Sequence, residues 1–325
     1  MDARLALPML MEYLFEYGRF AVQIFLVMAG YLATQSLTRF AKQNFSANLA
    51  LRIIINRYLR LFAPYTVALV FTIACAWLAR FWINDEFVGE QETLGQFVAH
   101  LFFLQGILDL DSISAGVWYV AIDWQLYSVL AILLMSFSSY QALVWLLSIV
   151  SVGSLLYFNR SSQYEAYFIY FLGSYSLGML AFLAKNYSDP KIRGLAKFLL
   201  FGLGAVIAIS SFQELWARNV LAWCVALALL IWGNASYPPV NQNNADLKKR
   251  ALQAIAWASP RSYCAFLIHF AFILLANTIY IASGLYAHTN GTIAIGMMVL
   301  VVIASVIASN YLYHLVEIPS AKLKI

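Results

Sequence analysis

Runs of about 20 predominantly apolar residues recur along almost the whole chain, and that recurrence leaves few folds open. Inside a bilayer every backbone N–H and C=O must be satisfied within the segment, so a run of this length crosses as an α-helix. Nine such runs lie near 20–37, 61–83, 116–137, 140–158, 164–184, 195–212, 218–234, 263–284 and 291–313. The chain is 63% hydrophobic and 11% charged, against roughly 25% charged in a soluble domain, so this reading rests on no single segment. The expectation is an all-α, polytopic transmembrane helix bundle of about nine spans. A tenth apolar stretch, 94–108, is shorter and carries His100, and is expected not to cross. No separate soluble domain or low-complexity tract interrupts the pattern, so residues 1–325 read as one domain, with the polar stretch Ser236 to Arg250 as a loop.

The charges give these spans a direction. Segment 38–60 holds Arg39, Lys42, Arg52, Arg57 and Arg60 with no acid, and 84–93 holds Asp85, Glu86, Glu90 and Glu92 with no base. The connections 185–197 and 235–262 each carry four basic residues against one acid. Positive connections stay in the cytosol, so all three basic segments share the inner side if 94–108 does not cross. The C-terminus, with Lys322 and Lys324, is then cytoplasmic and the short N-terminal segment lies outside. Bilayer orientation accounts for the formal charge of +5, and a nucleic-acid partner is not expected. Membrane lipids are the expected surroundings.

Against this background one carboxylate stands out. Asp123 is the only charge between Gly116 and Met135. A charge at membrane depth costs roughly 2.5–3.5 kcal/mol on insertion scales, so it faces protein or a water-filled cavity and commonly has a function. Helical spacing places Tyr119 and Tyr127 on its face, one turn to either side. A structural reading, with Asp123 accepting a hydrogen bond from a tyrosine or arginine, stands beside the functional one. Arg57 and Arg60, one turn apart at the entry to the second span, suit the two-point binding of a phosphate, or else anchor the chain to headgroups. Trp118, Tyr119 and Trp124 are able to stack on a sugar ring or to belong to an interfacial aromatic belt. His269 lies within an apolar span, as a candidate base or a structural partner. His314 and Glu317 are spaced for a local hydrogen bond, while His100 and His288 fall near the outer surface. Cys75, Cys224 and Cys264 read as inert packing residues, and no histidines have metal-ligand spacing.

Several of these stretches together resemble the acyltransferase-3 family of integral membrane acyltransferases. Phe25-Leu26-Val27-Met28-Ala29-Gly30-Tyr31-Leu32 is similar to the family's Phe-Phe-Val-Leu-Ser-Gly-Phe-Leu stretch, and Arg57, Arg60, Pro64 and Tyr65 match its next motif. Trp118, Asp123, Gln125 and Tyr127 follow its Trp-Ser-Leu-x-x-Glu-x-Gln-x-Tyr pattern. Ser262 to Phe270 resembles Ser-Tyr-x-x-Tyr-Leu-x-His, and Glu317 with Pro319 the terminal Glu-x-Pro. The resemblance implies an O-acyltransferase of the bacterial inner membrane that moves acetyl or a similar group from cytosolic acyl-CoA to a hydroxyl of an extracytoplasmic glycan or glycolipid. Arg57 and Arg60 would then meet the coenzyme's phosphates and Asp123 would serve catalysis; on the residues themselves, His269 is the candidate to stand in for the family's histidine, and Trp118, Tyr119 and Tyr127 are the candidates for the acceptor site.

Two departures from the family pattern bear on activity. Ala29 and Asp123 replace the usual Ser and Glu, and the family's first span, with its Arg and catalytic His, has no counterpart here. An upstream span is therefore expected, and restoring it would place both termini inside. A non-catalytic relative acting with an enzyme partner, or as a homo-oligomer, is the first alternative. A transporter for a lipid-linked sugar is the second, although the internal repeats expected of one are not seen.

Overall fold

A computed structural model describes residues 7–18, 20–40, 47–85, 87–137, 139–210, 216–233, 245–285 and 291–323. Every regular element among them is helical. In chain order these are α1 (Pro8–Tyr17), α2 (Phe20–Leu37), α3 (Ala47–Arg80), α4 (Leu94–Leu101), α5 (Val117–Ser136), α6 (Tyr140–Leu156) and α7 (Phe168–Asn186). There follow α8 (Pro190–Ile209), α9 (Trp216–Trp232), α10 (Ala245–Ala258), α11 (Ser262–Ala282), α12 (Gly291–Leu312) and α13 (Ile318–Ser320).

Eight of the expected spans lie in helices long and apolar enough to cross a membrane, and the ninth is α9, a shorter apolar helix of 17 residues. Two connections are more helical than the sequence reading has them. Helix α3 begins 14 residues before the predicted span at 61, so Arg52, Arg57 and Arg60 stand on a helix instead of a loop. Arginine is a good helix former, and Leu51, Ile53, Ile54 and Ile55 continue the apolar register between the charges. Likewise Ala245–Arg250, expected in a loop, belongs to α10, while Pro238 and Pro239 fall outside the described residues.

The chain divides into two compact units, Met1–Phe15, Asn56–Trp118 and Ser236–Ile325 in the first, Glu16–Ile55 and Tyr119–Ala235 in the second. In the second unit α7 is the central helix, its residues from Tyr170 to Ala184 all buried. It approaches α2 closely because both present glycine: a side chain at Gly30 would strike the Tyr175 carbonyl, and one at Gly178 the Val27 carbonyl. Buried polar contacts set the register of this pair. Ser174 donates to Gln23, and Asn186 Nδ2 to the Tyr31 hydroxyl at 3.0 Å. On the other side of α7, Ser154 of α6 donates to the Ile169 carbonyl at 2.6 Å and accepts from Gly173 N at 2.9 Å.

In the first unit α3 packs along α11 through Cys75, Ala76, Ala79, Ala271 and Leu274, with Ile83 and Val88 of the following connection closing the cluster. That connection holds the stretch expected not to cross. Arg80 grips Glu92 through two bonds of 2.8 and 2.9 Å and the Glu90 carbonyl at 2.7 Å, which pins the start of the segment to the far end of α3. Thr93 then caps α4 in a reciprocal box with Gln96. Eight residues later the Leu101 carbonyl accepts from the Tyr58 hydroxyl at 2.8 Å. Tyr58 precedes Arg80 by 22 residues, about 33 Å along a helix, so 93–101 folds back beside α3 as a re-entrant segment.

His100 holds this segment shut. It is 0% exposed, because the amphipathic α4 turns this face to the protein. Nδ1 lies 2.8 Å from the Gln96 carbonyl and so carries the hydrogen, which leaves Nε2 to accept from Ile113 N at 3.2 Å. Burial pushes its pKa down, partly countered by the Gln96 carbonyl. Protonation would aim an Nε2–H at a backbone N–H. An opened segment therefore binds a proton that the closed one refuses, and stability declines as pH falls from about 6.5 toward the lower folded pKa. We expect the thermal midpoint of the wild type to drop between about pH 7.5 and 5. His100→Gln should start lower and lack that component of the slope; an identical pH profile in both would remove His100 from this role.

Candidate active site

The re-entrant segment delivers Phe103 and Gln105 to the stretch of α3 that carries the arginines. Phe103 sits at φ 59°, a left-handed conformation that costs a bulky residue about 1–3 kcal/mol and persists only where packing enforces it. Here the ring lies edge-on to Tyr65 and Tyr58, at 5.0 and 5.4 Å between centroids. Two residues on, Gln105 is 1% exposed, its amide facing the Tyr65 hydroxyl without well-formed hydrogen-bond geometry. The Tyr65 hydroxyl, fully buried beside it, is equally short of a well-formed bond. Ser114, on the way to α5, is also buried with its hydroxyl unpaired. Buried polar groups without well-formed bonds are costly, and Tyr65 and Gln105, side by side, describe a place suited to a polar ligand.

Around them the unit gathers residues from three of the sequence motifs. Tyr263 of α11 donates to the Leu61 carbonyl at 3.0 Å and stands within electrostatic reach of Arg57, Tyr65, Glu317 and Cys264. Arg57 is half-buried and belongs to this cluster, whereas Arg60 is exposed. The two candidate phosphate ligands thus face different surroundings, because a separation of three residues rotates the second by 60° from the first on an ideal helix of about 3.6 residues per turn.

Glu317 enters the cluster through a local distortion. Residues Tyr313–Glu317 form a π-helical turn, which widens the helix and swings Glu317 inward, where it is 8% exposed and accepts from the Cys264 thiol at 3.0 Å. The expected local pairing of His314 with Glu317 is therefore replaced. His314 Nε2 accepts instead from Arg261 at 3.1 Å, and Arg261 also donates to Asn310 Oδ1 at 2.7 Å. Cys264, read from sequence as inert packing, is the buried donor to this carboxylate, while Cys75 is buried in the apolar core and Cys224 is exposed.

His269 lies one turn beyond Phe266 on α11. Its Nδ1 is 2.7 Å from the Phe266 carbonyl, an acceptor only, so in the neutral ring Nε2 holds the lone pair and is able to take a proton. The Phe266 ring in turn covers Gly116, where φ is +92° and an added Cβ would come within 3.0 Å of the ring. Both constraints call for glycine, and they bring the start of α5, with half-buried Trp118 two residues on, to the His269 turn. His288 lies outside the described residues.

The other candidates belong to the second unit. Asp123 is 6% exposed on α5, flanked by Ile122 at 2% and Leu126 at 0%. Tyr119 is half-buried and meets Phe25 edge-on at 6.5 Å, and Tyr127 is 9% exposed. Gln125 fixes the helix to the α6–α7 connection by donating to the Ala166 carbonyl at 3.3 Å and accepting from Phe168 N at 3.0 Å. Sequence reasoning passed over Arg218, at the start of an apolar span. It is 8% exposed and donates to the Asn159 carbonyl at 3.0 Å, to Asn159 Oδ1, and to the Tyr170 hydroxyl at 3.3 Å. Gln105 escaped notice too. An amide inside the apolar stretch 94–108 was its only signal, and its significance depends on a chain reversal that no local pattern encodes.

A family model described as an acyltransferase domain matches residues 4–313. No curated protein and no solved structure matches the chain. The match takes in both units and the residues placed above except His314 and Glu317, which lie just beyond it, and with it the chain, an integral membrane protein, belongs to the acyltransferase-3 family.

Proposed function

We propose that this protein is an O-acyltransferase of the cell envelope, taking its acyl group from cytosolic acyl-CoA and giving it to a hydroxyl of a glycan or glycolipid on the other side of the bacterial inner membrane. The observation that carries the reading is the buried polar pair of Tyr65 and Gln105, which lack well-formed hydrogen bonds, in the unit that holds half-buried Arg57. Such a cluster suits a donor with phosphates at one end and an amide-bearing arm behind them. The phosphates fall to Arg57, with Arg60 at the exposed rim, and the amides to Gln105 and Tyr65.

Acyl-CoA, when bound, supplies the acyl group as a thioester: the acceptor oxygen bonds to the carbonyl carbon, the C–S bond breaks, and the departing thiolate takes up the proton the hydroxyl gave away. His269 is the candidate within the described residues to take that proton on Nε2. Asp123, a buried carboxylate on α5 of the other unit, is the second group assigned to the transfer, as an ionisable side chain kept inside an apolar span. Trp118, Tyr119 and Tyr127 would hold the sugar. The basic segments orient the donor side, and with it the C-terminus, toward the cytosol.

Changing Arg57 to Gln separates this role from mere topological anchoring. Loss of charge-assisted bonds should raise the KM for acyl-CoA by about 10–100-fold and leave the KM for the acceptor in place. Arg60→Gln, at an exposed position, should raise it only a few-fold. An unchanged donor KM in both variants would return the arginines to the role of headgroup anchors.

A further inference from the structure

A second polar site lies wholly within the other unit and takes no part in the donor reading. At the Lys185 end of α7 a cavity of about 560 Å³ opens between α7, the start of α8 and the end of α9. Its rim carries Lys185, Arg193 and Lys197, and its wall carries Phe201 and Leu230. Arg193 and Lys197 stand one turn apart on α8 and have no carboxylate partner among the described residues. The nearest acid in sequence, Asp189, is committed to capping α8, accepting from Lys191 N at 2.8 Å. Lys185 spends one N–H on the Ile231 carbonyl at 2.8 Å, leaving two to offer. The positive end of the α8 dipole adds to the same field.

Three cations without a carboxylate partner among the described residues call for an anion. The volume falls in the roughly 300–1,000 Å³ range of pockets that hold an organic ligand, so it exceeds what a bare inorganic ion needs. The apolar wall continues onto the outer surface of α8, where Phe198 is 66% and Phe201 53% exposed. A ligand with a phosphate head and a hydrocarbon tail fits both parts at once, and basic pockets between spans on the cytoplasmic side are known to hold anionic headgroups. We infer that this cavity binds the phosphodiester headgroup of an anionic membrane phospholipid, with an acyl chain descending past Phe201 and Leu230.

The test is native mass spectrometry of the purified full chain in detergent, titrated with phosphatidylglycerol and, as the zwitterionic control, phosphatidylcholine. The wild type should retain the anionic lipid preferentially. The double variant Arg193→Gln, Lys197→Gln should lower the bound fraction about thirtyfold. Gly194→Glu provides an independent variant, since an added side chain there meets nothing within 4 Å and places a carboxylate at the rim without disturbing the helix. It should abolish the preference while the thermal midpoint of the lipid-free protein stays level or rises. Challenge with CoA and with inorganic phosphate distinguishes the source of the phosphate. Displacement by either at equimolar concentration overturns the lipid assignment in favour of a soluble phosphate ester. Adducts that persist equally in both variants overturn the site itself.

Discussion

Asp123→Asn should abolish acyl transfer, by about 100-fold or more, in a chain that still inserts and folds. The substitution keeps the shape of the side chain and removes its charge. Asp123 is buried on α5, and a neutral amide of the same shape is easier to insert at membrane depth than a carboxylate. A purely structural aspartate, whose worth lay in a hydrogen bond, would show the reverse signature of a lowered unfolding temperature with activity falling only in step. Measuring the transfer rate and the thermal midpoint on the same preparation separates the two. Tyr119→Phe and Tyr127→Phe, one turn to either side, refine the result. Each removes a hydroxyl and keeps the ring, so a smaller loss than for Asp123→Asn is expected of a flanking contact. Full activity in Asp123→Asn would take this carboxylate out of the mechanism.

The features legible in the sequence were those that depend on one segment at a time. Span length and composition locate the crossing helices, and a lone charge in an apolar helix marks Asp123, because both follow from the solvent. Arg57 and Tyr263 are likewise visible through the order of motifs. What escaped depends on two segments at once. That 93–101 turns back along α3 rests on Arg80 meeting Glu92 and Tyr58 meeting Leu101, pairs separated by 12 and 43 residues. Burial of His100 and Gln105 follows from that reversal, which no local pattern encodes. The π-helical turn at Tyr313–Glu317 is a second case. A spacing of three predicts that His314 and Glu317 meet, and one extra residue in the turn sends the carboxylate to Cys264. The early start of α3 has a different cause, since positive charge signals the inner side of the membrane but does nothing to end a helix.

The glycines are the sharpest example of a two-segment property, and they carry the largest expected effect on stability. In sequence Gly30 and Gly178 look scattered. In the fold they face each other across α2 and α7, where a Cβ on Gly30 would run into the Tyr175 carbonyl and one on Gly178 into the Val27 carbonyl, with Tyr31 N at 2.9 Å. Neither obstacle is the end of a flexible side chain; both are backbone within helices. Gly178→Ala must therefore push α2 and α7 apart, weakening the packing of Leu26, Val27, Tyr175 and Leu177, each at most 2% exposed. The cost of such overpacking is about 1–3 kcal/mol, set against a helix-propensity gain of up to about 1 kcal/mol. Gly30→Ala should behave alike. The double variant should lose less than the sum, because the separation forced by one methyl makes room for the other. Gly202→Ala on α8 is the control, since nothing lies within 4 Å of its Cβ and propensity alone should leave the protein unchanged or slightly more stable. Thermal unfolding of the four variants in detergent decides the matter. A midpoint for Gly178→Ala equal to that for Gly202→Ala would show that α2 and α7 do not approach as closely as described, and the Gln23–Ser174 and Tyr31–Asn186 bonds that depend on the approach would fall with it.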